Sequence, residues 1–104
     1  MILDLLEQAI RGKRCLTVLH KRARRRIAPH AIGFTSAGVP ALFAFQYAGE
    51  TRTNLPFRGE WRCLHIEDLS HAYENGDRWR SPFNYSLRRQ TCLRQIALAV
   101  PEKR

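Results

Sequence analysis

The chain has 104 residues, 44% of them hydrophobic, and carries 18 Lys and Arg against 9 Asp and Glu, a formal net charge of +9. That length supports one domain with a modest core, and the charge favours an anionic partner. No run of about 18 apolar residues spans a bilayer, and Asp4 and Glu7 stand where a secretion signal would be basic and then apolar, so a cytoplasmic protein without a membrane partner is expected.

In chain order, Ile2, Leu3, Leu6, Ala9 and Ile10 recur at helical spacing, acids lie near the start, bases near the end, and Gly12 offers a left-handed stop. The period then changes to that of strands. "CLTVLH", "RIAPHAIGF" and "VPALFAFQYA" are apolar runs rich in strand formers, separated by "TSAG" and followed by the turn-rich "AGETRTNLPFRGE". "WRCLHIEDL" reads as a fourth strand, with Trp61, Cys63 and His65 on one face and Arg62, Leu64 and Ile66 on the other. "SHAYENGDRWR" reads as a tight pairing around Asn75-Gly76. In residues 82–101, Leu93, Ile96, Ala97 and Val100 form one stripe, with Asn84 or Ser86 as cap and Pro101 as stop, which predicts a C-terminal helix. Short strands so closely spaced predict a small barrel or strongly bent sheet, mainly β with flanking helices, in one domain over 1–104. Cys15, Cys63 and Cys92 are an odd number without paired spacing, so buried thiols are expected and neither a disulfide framework nor a zinc motif is indicated.

Charge is distributed unevenly. Between Glu7 and Glu50 there is no acid, while "HKRARRR" concentrates Lys21, Arg22, Arg24, Arg25 and Arg26. Such a block makes a positive field, and arginine, which far outnumbers lysine here, matches phosphate oxygens bidentately. The run is read as a strand end, a basic loop and the start of the next strand, bordering a groove.

The order of these parts resembles the WYL-domain family: "LLEQAIRGKRCLTVLH", then "RRRIAPHAIGF", then "VPALFAFQ", then "WRCLHIEDLSHAYENGDRW", over residues 3–79. The resemblance implies a helix followed by a small Sm-like or SH3-like β-barrel, acting as a ligand-sensing module in bacterial transcription regulation, with DNA binding supplied by a partner protein. The family's arginine ahead of a strand proline is matched by Arg25 or Arg26 before Pro29, and Arg62 and Ile66 fit its later motif. Leu64 replaces an aromatic, Glu67 an aspartate and Asp68 an arginine, and the Trp-Tyr-Leu position holds Pro40, Ala41 and Leu42.

His30 and His65 are candidates for donating to a phosphate or base edge beside Arg62, the other reading being edge histidines in solvent. His20 and His71 give no signal of their own. Trp79 and Phe83, flanked by Arg78 and Arg80, are candidates for an aromatic exposed beside guanidiniums, with Trp79 the stacking candidate; alternatively they pin the last helix to the barrel. Catalysis finds no paired carboxylates or activated nucleophile, and no cofactor or metal is expected: Glu67 and Asp68 are neighbours on a strand, and Cys63 with His65 lacks an orienting partner. The expectation is therefore a non-enzymatic module binding a polyanion, single-stranded nucleic acid or a nucleotide-like ligand, through Lys21, Arg22, Arg24, Arg25, Arg26, His30, Arg62 and His65. The alternative is a protein-interaction module that docks on an acidic partner or forms a homodimer through its sheet edge.

Overall fold

The computed structural model describes residues 1–50 and 59–102; most of the turn-rich connection after the third strand, residues 51–58, lies outside them. Helix α1 (Ile2–Gly12) turns Leu6, Ala9 and Ile10, three and four residues apart, into the core. Its left-handed stop falls one residue later than expected, at Lys13 (φ 54°), whose N–H bonds the Ile10 carbonyl while Arg14 N–H bonds that of Ala9. Five strands follow: β1 (Leu16–His20), β2 (Ala23–Phe34), β3 (Pro40–Gly49), β4 (Glu60–His65) and, after a 3-10 turn at Ile66–Asp68, β5 (Leu69–Glu74). A last strand, β6 (Gln95–Ala99), ends the chain's regular structure.

These form one six-stranded sheet in the order β4-β3-β2-β1-β5, every pairing antiparallel, with β6 added to β2. The chain is thus mainly β with one N-terminal helix, and the sheet is open: among the described residues β4 and β5 do not pair. Strand β2 organises the rest. Its first half pairs β1, its second half pairs β6, and β3 runs along its other edge.

Alternation explains the core. Leu16 and Val18 of β1, Ile27 of β2, Leu42 of β3, Leu64 of β4 and Leu69 of β5 share one buried cluster with Leu6, Ala9 and Ile10 of α1. Residues 41–46 of β3 are buried on both faces, because the C-terminal segment covers the face that α1 does not. There Phe43 and Phe45 meet Trp61, and Trp61 and Phe43 meet Tyr85.

Three expectations are corrected. Residues 82–101 are not a helix: they run through turns into β6, whose ends are fixed by the buried Leu93 and Val100. The backbone of β6 comes so close to β2 that any Cβ at Gly33 would overlap the Gln95 carbonyl oxygen, and glycine makes the approach feasible. Asn75-Gly76 does not close a hairpin; Asn75 N–H bonds Cys15 O at 3.2 Å and its Oδ1 accepts from Asp77 N–H at 2.9 Å, an Asx turn that ends β5 on β1. Cys63 and Cys92 are joined in a disulfide that fastens the C-terminal segment to β4, and only Cys15 is a buried thiol.

Candidate nucleic-acid interface

The basic run is the end of one strand, a turn and the start of the next, and the turn is only two residues long. His20 and Ala23 pair directly, leaving Lys21 and Arg22 as a two-residue turn with φ of 48° and 71°. A tight hairpin of right-handed twist needs both central residues left-handed, normally Asn-Gly, so two long basic side chains here hold an unfavourable backbone and project from the hairpin tip. Lys21 Nζ lies 3.8 Å from Asp68, which also stands 3.9 Å from His20 Nε2. Burial, followed by the Arg25 charge, pushes the His20 imidazole below its ordinary range.

Arg24, Arg25 and Arg26 belong to β2, so alternation separates them. Arg24 and Arg26 point outward and Arg25 inward. The register sets Arg24 opposite Leu19, and Leu19 opposite His71; one row on, Arg26 faces Thr17, and Thr17 faces Tyr73. Strands β2, β1 and β5 thus present one outer face carrying Arg24, Arg26, His71 and Tyr73, with the Tyr73 side chain 56% exposed. A shallow hollow of about 230 Å³ sits there, lined by Thr17, Val18, Leu19, Arg24, His71 and Tyr73. Glu50 borders it, its carboxylate accepting the Arg24 backbone N–H at 3.0 Å.

Arg26 is partly committed. Its Nε and Nη2 donate to one Asp77 oxygen at 3.0 and 2.6 Å, and the Tyr47 hydroxyl donates to the same oxygen at 2.6 Å. The Tyr47 bond, then Arg26, holds the Asp77 carboxyl below the usual range, and burial pushes the Tyr47 phenol up. The Arg80 guanidinium lies 3.9 Å over the Tyr47 ring, and Arg26 lies 5.8 Å from it.

The remaining expected site residues lie elsewhere. Arg25 is buried and donates to Gln46 Oε1 at 2.7 Å, and Arg62 Nε donates to that oxygen at 3.1 Å. Gln46, wholly buried, gives its amide hydrogens to the Ala48 and Glu50 carbonyls, and Arg62 also pairs with Glu60 at 3.1 Å. The structure therefore brings Arg25 and Arg62 together on one acceptor, inside the sheet rather than on its basic face. His65 closes β4 opposite Ala41, on the strand face away from Arg62. Glu67 and Asp68, expected as neighbours on the strand, sit beyond it in the 3-10 turn.

His30 is no edge residue. It is the extra residue of a bulge between Pro29 and Ala31, fully buried, with the rings of Trp61, Trp79 and Tyr85 within 5 Å. Its Nδ1 donates to the Ala28 carbonyl at 2.7 Å, which fixes the tautomer, and Nε2 accepts from Ser81 Oγ at 3.1 Å. Burial holds the imidazole down at about 4. Trp79, packed on that ring, has no open stacking face on this side, whereas Phe83 is entirely exposed.

The sequence gives His71 no signal of its own and does not single out Tyr73. The period-2 pattern of "LSHAYE" places both on one face, but only the β5–β1 register brings them beside Arg24. Among the described residues no group of three or more His, Cys, Asp and Glu is placed to hold a metal ion, and no helix is long and apolar enough to cross a membrane. Comparison with known proteins supplies no relative: no family model matches the chain, and no curated protein or solved structure is significantly similar to it.

Proposed function

We propose that the chain is a non-enzymatic regulatory module that binds a polyanion, single-stranded nucleic acid in preference to a free nucleotide, on the outer face of β2, β1 and β5. The observation that carries this is the exposed Tyr73 on one open face with Arg24 and His71, around a hollow, beside the Lys21-Arg22 tip. Guanidiniums and an ammonium attract phosphates, and an exposed phenol ring beside them offers a base a stacking partner. The strand order, the leading helix and the 3-10 turn before β5 support the Sm-like or SH3-like barrel reading, and with it the WYL-like resemblance; a DNA-binding partner would then convert occupancy into regulation. The non-enzymatic reading is supported by His30, Asp77 and Tyr47, whose polar atoms are engaged in bonds that hold the fold.

Replacing Arg22 by Asn and Arg24 by Gln tests this. Asn suits the left-handed turn, both side chains are exposed, and stability should change by less than about 1 kcal/mol. Affinity for a labelled oligothymidine should fall, and the slope of log K against log salt should drop by about 1.4, two phosphate contacts on a single strand. An unchanged affinity and slope would remove the face from consideration. A second reading, docking on a protein, rests on a separate apolar surface: Leu3, Phe34 and Ile96 are each about 40% exposed, and a hollow there is lined by Leu3, Glu7, Ile32, Gly33, Phe34, Ile66 and Ala97. Binding there would be nearly independent of salt.

A further inference from the structure

Phe83 has no packing role: its side chain is fully exposed, at 102% of the reference area, on the loop between Ser81 and Tyr85. A lone exposed apolar residue is ordinary on a mobile loop. This loop is fastened on both sides of the ring. Ser81 Oγ is held at His30, Asn84 Oδ1 accepts from Trp61 Nε1 at 3.0 Å, Tyr85 N–H bonds Pro82 O, and the Tyr85 hydroxyl donates to Val100 O at 2.6 Å. The fold spends buried aromatic side chains to hold an unburied one in place.

The surroundings are basic. From Arg78 to Arg94 the chain contains Arg78, Arg80, Arg88, Arg89 and Arg94 and no acid. Arg89 and Asn84 line a third hollow, of about 230 Å³, with Ser86 and Gln90 on its wall and Trp61 and Phe43 beneath. Nearer the sheet, Tyr47 links the two regions, since Arg26 and Arg80 both lie against its ring. Strand register and ring contacts thus connect Tyr73 through Thr17, Arg26 and Tyr47 to Arg80, three residues before Phe83 in the chain.

We propose that Phe83 is a base-stacking platform, with Arg89 as its phosphate contact, at the far end of a track for single-stranded nucleic acid that begins at Tyr73. This rests on the reading above and sharpens it, because bases are open to stacking in a single strand and closed in a duplex. A membrane finger is disfavoured by the same observations: Pro82 is half-buried and Asn84 polar, so one ring is all the apolar area on offer, and anchoring scales with that area.

The test is Phe83→Ala and Phe83→Trp in the full chain, titrated with a labelled oligothymidine of about 12 nucleotides, with its duplex, and with phosphatidylserine-containing vesicles. Phe83→Ala should keep the wild-type thermal midpoint, lose affinity for the single strand by about 5-fold to 150-fold and leave the salt slope unchanged, while Phe83→Trp retains affinity. An abasic nucleotide at the stacked position should remove the difference between Phe83→Ala and wild type. If Phe83→Ala binds the single strand as wild type does while the Arg22→Asn, Arg24→Gln variant is weakened, this inference falls and the sheet-face reading stands. If wild type binds no oligonucleotide, both fall. Loss of vesicle binding alone in Phe83→Ala would make the loop a membrane contact and overturn the proposal.

Discussion

Lowering the pH from neutral to 4 is expected to cost the fold about 3 kcal/mol through His30 alone. In the folded chain this imidazole titrates at about 4, against an ordinary 6.5, because burial among Trp61, Trp79 and Tyr85 disfavours the cation and Nε2 already accepts from Ser81. Between those two values the unfolded chain binds a proton that the folded one excludes. Stability is therefore complete above about pH 6.5, declines as the pH falls toward 4, and declines no further below it on this account; at 1.36 kcal/mol per pH unit the total is roughly 3 kcal/mol. His20, also pushed down, adds to the decline in the same direction. Urea denaturation across this range checks it. His30→Phe, which keeps a ring in the cage, should be less stable at neutral pH and lose most of the slope. An equal slope in that variant would show that His30 does not carry it.

Reduction of the Cys63–Cys92 disulfide should cost about 3 to 4 kcal/mol. The bond closes a loop with a sequence separation of 29, and a crosslink of that span restricts the unfolded chain by roughly this amount. It also holds the turns after Pro82 against β4, where Trp61 lies between Phe43 and Tyr85. Dithiothreitol should lower the denaturation midpoint and shift the Trp61 emission, and a Cys63→Ser, Cys92→Ser double variant should behave like the reduced protein with or without reductant. Identical midpoints with and without reductant would mean that the pair contributes nothing.

The parts legible in the sequence were those fixed by local periodicity. Helix α1 shows its buried face at three-and-four spacing, and β1 and β3 show strand-forming apolar runs, because each buries its pattern against elements on either side of it. Residues 82–101 misled for a physical reason. Leu93, Ile96, Ala97 and Val100 fit a helical stripe, yet Leu93 and Val100 are buried as the two ends of an extended segment, and the decisive feature, Gly33 admitting the Gln95 backbone, lies some 60 residues away. Three cysteines cannot announce which two will meet.

The candidate site divides along the same line. The arginine run and its strand-turn-strand order are visible in the sequence, but taking all five bases as one exposed site passes over the alternation that sends Arg25 inward to Gln46 and leaves Arg24 and Arg26 outside. The resemblance matches Arg25 or Arg26 to one family arginine and Arg62 to another without pairing them, and the fold sets Arg25 and Arg62 on one acceptor, Gln46, that no pattern had marked. His71 and Tyr73 required the β5–β1 register, a contact between segments about 50 residues apart.

The central claim, that a nucleic-acid strand lies on the open face of β2, β1 and β5, is tested most directly by mapping amide chemical shifts while a short oligothymidine is titrated at about 50 mM salt. The account predicts perturbations at residues 17–26 and 69–74, extending to Arg80 and Phe83, which fade together as salt is raised to about 200 mM. Perturbations confined to Leu3, Phe34 and Ile96, or to the Gln46 and Arg62 region inside the sheet, with the β1–β2 tip and Tyr73 silent, would contradict it.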